Sequence, residues 1–168
     1  HRHGQAVLDM FLNQERYNLI FAPHVMLFAR KWNATIHPPA LARMKKPSSA
    51  VLDCPHIQVD LASAASCDMS YINRADVYLG DVSSQVYEFL HRPRPCVFLN
   101  SHDVAWQGDP SYLHWTAGPV VNRPDQLLDV IDRAIASHGE YAEKQAYLLD
   151  KTFSITADPA SVQAARAI

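Results

Sequence analysis

The sequence predicts an α/β domain, a parallel sheet covered by helices on both faces, and three observations carry that prediction. Strand-like and helix-like segments alternate along the chain. The strand-like runs are short and apolar, as strands buried on both faces are. The chain has 168 residues, 48% of them hydrophobic and only 19% charged, enough to bury a sizeable core.

The elements follow in order. Residues 6–13 are apolar and helix-prone, and residues 18–22 read as a buried strand ended by Pro23. A helix is expected over 25–32, a proline-broken stretch through Pro38-Pro39, a short basic helical turn over 40–46 and a loop at 47–49. Strict alternation predicts a strand over 57–61, and a helix over 66–73 carries Asp68 in its first turn. The clearest unit is a strand over 75–80, a tight turn over 81–83 and a helix over 84–91. Prolines at 93 and 95 break the chain before an apolar strand over 96–99. A long polar and aromatic loop spans 100–117, and 118–121 is briefly extended. An amphipathic helix is expected over 124–136, with Leu127, Leu128, Ile131 and Ile135 on one stripe and Pro124 in its first turn. Helices over 140–149 and 159–167 complete the chain. The organisation expected is one domain over 1–150 and a helical tail over 151–168.

Composition narrows the function. A net charge of −2 argues against a general nucleic-acid binder, which needs a cationic surplus to neutralise phosphates. Cys54, Cys67 and Cys96 are odd in number and far apart, which fits a reducing compartment better than a disulfide framework. No apolar run approaches the roughly 20 residues of a membrane-spanning helix. The opening His-Arg-His-Gly, without Met, leads us to expect a piece of a longer protein.

Parallel sheets bind ligands at the carboxyl ends of their strands, where helix N-termini face the ligand. Asp81-Val82-Ser83-Ser84 occupies such a place. Unpaired N–H groups and the serine hydroxyls suit a phosphate; Asp81, an anion, suits a cap or the ordering of the turn. The same residues also read as an ordinary helix cap that binds nothing. Glu88 lies one helical turn beyond Ser84, where a carboxylate suits ribose hydroxyls, and it reads equally as a solvated surface residue. His24, two residues past the strand over 18–22, is a candidate for proton transfer or for pairing with a diphosphate. His102, Asp103 and His114 are candidates from the loop after the strand over 96–99. No His-x-x-x-His or Asp-x-Asp spacing suggests a metal, so none is assigned. Neither a P-loop nor Gly-x-Gly-x-x-Gly occurs, which removes the usual ATPase and NAD readings.

The run from Asn73 to Leu90, with its strand, its Asp-x-Ser-Ser turn and its helix bearing an acid and aromatics, resembles the CDP-glycerol glycerophosphotransferase family of teichoic-acid-type polymerases and primases. Pro95 with the strand after it, Gly118-Pro119-Val120-Val121 with the helix from Pro124, and Ala22-Pro23-His24 are similar to further family segments, over about residues 17–136. The resemblance implies a Rossmann-like, donor-binding half of a two-domain B-type glycosyltransferase architecture. It also implies cytoplasmic placement, with peripheral membrane association left to the full-length protein. The resemblance also leads us to expect, as partner, an N-terminal α/β domain of the same chain, without which the piece is expected to be inactive. In that frame Ser83 and Ser84 bind the donor diphosphate, Glu88 (where the family often has Asp) faces the ribose, and His24 assists the diphosphate or moves a proton. The implied reaction transfers glycerol phosphate from CDP-glycerol to a hydroxyl, releasing CMP, with no cofactor. Two other readings stay open. One is a nucleotide-sugar transferase or UDP-N-acetylglucosamine 2-epimerase-like domain; the other is a non-catalytic binding module.

Overall fold

The computed structural model describes residues 3–24, 32–36, 39–43 and 46–167. Helix α1 (Gly4–Leu12) precedes strand β1 (Leu19–Phe21), and β2 (Trp32–Ile36) with β3 (Pro39–Arg43) forms an antiparallel pair. Then come α2 (Ser49–Leu52), β4 (Ile57–Val59), α3 (Ser70–Arg74), β5 (Tyr78–Gly80), α4 (Gln85–Phe89) and β6 (Cys96–Leu99). A 3-10 segment, Pro110–Ala117, leads to β7 (Val120–Val121), α5 (Leu127–Ala136), α6 (Ala142–Thr152) and α7 (Ala160–Arg166).

The class is α/β, with two small parallel sheets. β1 pairs with β4, Leu19 opposite Ile57, and β5, β6 and β7 pair in that order. The alternating pleat of the three-stranded sheet sends successive side chains to two different cores. Leu79, Val97, Leu99 and Val121 meet Val7, Leu8 and Phe11 of α1 and Leu127, Val130, Ile131 and Ala134 of α5. Tyr78, Cys96, Phe98 and Val120 meet Val86 and Phe89 of α4, Trp115 and Ala117, and Leu148 of α6. The first core also takes in Leu19, Phe21, Ile57 and Val59, so α1 and α5 join both parallel sheets through one apolar layer.

Several expectations need correction. Residues 40–43, expected as a helical turn, lie in β3, paired with β2 from Ile36–Pro39 to Trp32–Arg43. Isolated helical turns are too short to repay nucleation, whereas the pairing satisfies the backbone at once. Of the helix expected over 25–32, Trp32 begins β2, and the rest lies outside the described residues. The helix over 66–73 is split into a 3-10 turn, Ala64–Ser66, and α3. On α5 the buried stripe is Leu127, Val130, Ile131 and Ala134, while Ile135 is 45% exposed. Ile135 lies about 80° around the helix from Leu127, enough to turn it to water.

Buried polar side chains tie these layers together. Arg94, 8% exposed, donates at 2.5–3.0 Å to the carbonyls of Ile72, Ala75, Phe89 and Arg92, and its guanidinium stacks 3.7 Å over the Phe89 ring. It therefore caps the C-terminal ends of α3 and α4 together, where helices leave carbonyls unpaired and cations are favoured. Gln145, fully buried on α6, donates to the carbonyls of Arg94 (2.9 Å) and Ala117 (2.8 Å), fixing α6 against the ends of β6 and β7. Gly118 is required by contact: a Cβ there would lie 2.0 Å from the Cys96 carbonyl oxygen. Among the described residues no helix is long and apolar enough to cross a membrane.

Candidate functional site

A small depression of about 40 Å³, partly open to solvent, lies at the carboxyl ends of β5 and β6. Three segments line it: residues 81–82 after β5, residues 99–102 and 104 along and after β6, and Tyr112 with Trp115 from the 3-10 segment. The place is the one expected for a ligand on parallel strands. Trp115 ties the segments together: its indole N–H donates to the Asp81 carbonyl at 3.1 Å, while its ring lies 4.8 Å from that of Tyr112. Residues 81–82 of the wall lead along the chain to the Ser83-Ser84 turn, but neither serine lines the depression.

The two serines divide their work. Ser83 Oγ accepts from the Gln85 N–H at 3.3 Å and its carbonyl takes the Val86 N–H, so Ser83 orders the turn. Tyr78, packed beneath, also engages the Ser83 hydroxyl; burial pushes its phenol up to about 12. Ser84, the residue before α4, is exposed and its side chain makes no capping bond. α4 itself spans five residues rather than the eight expected over 84–91. The shortening follows from Arg94, which holds the Phe89 carbonyl, and from the prolines just beyond.

The remaining candidates are placed unequally. His102 is exposed and lines the depression; Asp103 is exposed, outside the lining, with φ of 52°. His114 departs from the expectation of a cleft group. It is 5% exposed, packed among the rings of Phe98 (5.8 Å), Tyr87 and Trp115 (each 6.2 Å). Burial drives its pKa down, with Asp81 opposing, and its Nε2 has no hydrogen-bond partner among the described residues. It therefore sits as a neutral member of an aromatic core. Glu88 is exposed on α4 and His24 is exposed just past β1; neither lines the depression.

Sequence reasoning missed Asn100, Ser101, Tyr112 and Trp115 of the lining, because nothing marks a lone Asn or aromatic in a long loop until its partners are known. It also missed Asp60, which follows β4. The Asp60 carboxylate accepts from the N–H groups of Ala62 (3.1 Å) and Ser63 (2.8 Å), and from the hydroxyls of Ser63 and Tyr71. Those bonds, the Ser63 hydroxyl foremost, hold its carboxyl well below the usual range. With each oxygen accepting two hydrogen bonds, it has nothing left for a ligand and serves to turn the chain. Among the described residues no group of three or more His, Cys, Asp or Glu side chains could hold a metal ion.

No family model, curated protein or solved structure matches this chain.

Proposed function

We propose that the chain binds a nucleoside-diphosphate donor at the carboxyl ends of β5 and β6, as the donor half of a transferase. The carrying observation is that the depression lies at the carboxyl ends of β5 and β6 and that its wall includes Asp81 and Val82, the residues just before the Ser83-Ser84 turn. In this reading a nucleoside rests on the open side of the depression by the half-buried Tyr112, and its phosphates extend toward the turn that follows residues 81–82. The exposed Ser84 hydroxyl is the donor this turn offers to a diphosphate, since the Gln85, Val86 and Tyr87 N–H groups are already bonded to Ser83 and Ser84. Asp81 is kept from the phosphates by like charge, and Ser83 supports the turn from within. The ribose-facing role of Glu88 and the phosphate or proton role of His24 rest on the family resemblance alone, since neither residue lines the depression. In this reading both parallel sheets belong to one Rossmann-like sheet, and a second domain brings the acceptor in a B-type glycosyltransferase architecture. The setting is cytoplasmic.

The resemblance of residues 73–90 supports CDP-glycerol as the donor. An acceptor hydroxyl attacks the phosphorus that bears glycerol, the P–O bond to CMP breaks, and the negative charge grows on the departing CMP phosphate. A hydroxyl such as that of Ser84, held at that oxygen, lowers the barrier because it needs no reorganisation as charge develops. Calorimetric titration with CDP-glycerol, CMP, UDP and UDP-sugars tests the reading. CDP-glycerol should bind best, and Ser84→Ala should weaken it roughly tenfold, the loss of one charge-assisted hydrogen bond. Clear preference for uridine rejects the glycerol-phosphate assignment, and no nucleotide binding at millimolar concentration rejects the donor site altogether.

A further inference from the structure

The wall formed after β6 is held by one side chain. Asn100 is 3% exposed, and its amide grips Val104 twice: Nδ2 donates to the Val104 carbonyl and the Val104 N–H donates to Oδ1, both at 3.0 Å. Its own N–H donates to the Val121 carbonyl at 2.9 Å, anchoring the grip to the end of β7. Between the two ends the chain turns tightly. The Ser101 N–H donates to the Leu99 carbonyl (3.0 Å), the Asp103 N–H to the Asn100 carbonyl (3.4 Å), and Asp103 takes the left-handed φ of 52°. Aspartate tolerates that conformation better than most residues. The enclosed Ser101 and His102 both line the depression.

We propose that Asn100 is a positioning residue for the cleft: by clamping Val104 it holds Ser101 and His102 against the ligand. The inference rests on the donor-site reading for the ligand's identity, but the clamp is measurable without one. A paired donor and acceptor imitates one rung of a backbone ladder, and only a planar amide of this length offers both. Without it, an exposed turn of this kind opens locally at little cost, and misplacement of contact groups lowers affinity.

The test compares wild type, Asn100→Ala and Asn100→Asp, each checked for folding by circular dichroism. Amide exchange at Val104 and the His102 ring signals are read by NMR, and CDP-glycerol affinity by calorimetry. Asn100→Ala should speed Val104 exchange at least tenfold, move the His102 signals and weaken binding about tenfold. Asn100→Asp supplies the diagnostic. Its ionised carboxylate accepts from the Val104 N–H but repels the Val104 carbonyl; once protonated, its O–H replaces the lost donor. The gap in affinity between wild type and Asn100→Asp should therefore close as pH falls, while the gap for Asn100→Ala persists. Unchanged Val104 exchange in Asn100→Ala overturns the proposal, as does unchanged binding despite faster exchange. Should wild type bind no nucleotide, the donor reading fails alone. The proposal then stands if Asn100→Ala shifts both NMR signals and falls if either stays put.

Discussion

Replacing Arg94 by methionine keeps the aliphatic stem over Phe89 and removes the guanidinium. Four carbonyls lose their donor: those of Ile72, Ala75, Phe89 and Arg92. They do not count equally. Arg92 is exposed and Ile72 and Ala75 are half-buried, so water can reach their carbonyls. Phe89 is 1% exposed, and its carbonyl stays unpaired, at a cost of about 1–3 kcal/mol. Loosened ends of α3 and α4 add a further share, bringing the total to about 3–4 kcal/mol, within the range for breaking a buried charged cluster. For a chain of this size that is a fall of roughly 10 °C in melting temperature. Urea unfolding of wild type, Arg94→Met and Arg94→Lys measures it. Lysine keeps the charge but has one nitrogen where the guanidinium fork reaches several segments, so it should recover less than half of the loss. The guanidinium stays charged at any ordinary pH, so the deficit should be constant from about pH 5 to 9. A Met variant within about 1 kcal/mol of wild type, or full recovery by lysine, would refute the double-cap account.

Two further outcomes follow from buried contacts. Asp60 has its carboxyl pKa lowered by folding, so the stability it confers is complete above the unfolded pKa, about pH 4, and is lost as pH falls through the lowered folded value. Asp60→Asn should be less stable than wild type at pH 6, and the difference should shrink toward pH 3 in urea titrations; a constant difference contradicts this. Gly118→Ala places its methyl 2.0 Å from the Cys96 carbonyl oxygen on the neighbouring strand. The backbone there is extended, φ −174°, so the obstacle is contact alone. The variant should lose at least about 3 kcal/mol, and a folded protein within 1 kcal/mol of wild type would show that β6 and the chain before β7 can part.

What the sequence made legible follows from the range of the forces involved. Strand β6 and helix α5 could be read because apolar runs and a helical period are local signals that a core rewards directly. The 40–43 segment could not, since Ala-Leu-Ala has helical propensity and only its partner strand decides otherwise. The stripe on α5 was read one position off at Ile135 because two adjacent leucines fit either of two faces, and the sheet beneath chooses. At the site, the turn after β5 was visible through its serines and its place after a strand. His114 looked like a cleft group because a polar loop hides which members fold inward; its surroundings of Tyr87, Phe98 and Trp115 come from three separate segments. Asn100 carried no signal at all, since its role exists only through Val104 and Val121.

The most direct test of the donor site is an NMR titration of the uniformly labelled chain with CDP-glycerol, followed through backbone amides and the Trp115 indole N–H. Binding at the carboxyl ends of β5 and β6 predicts saturable shifts concentrated at residues 81–84 and 99–104 and at that indole. Shifts gathered on another face, or none at saturating donor, would contradict it.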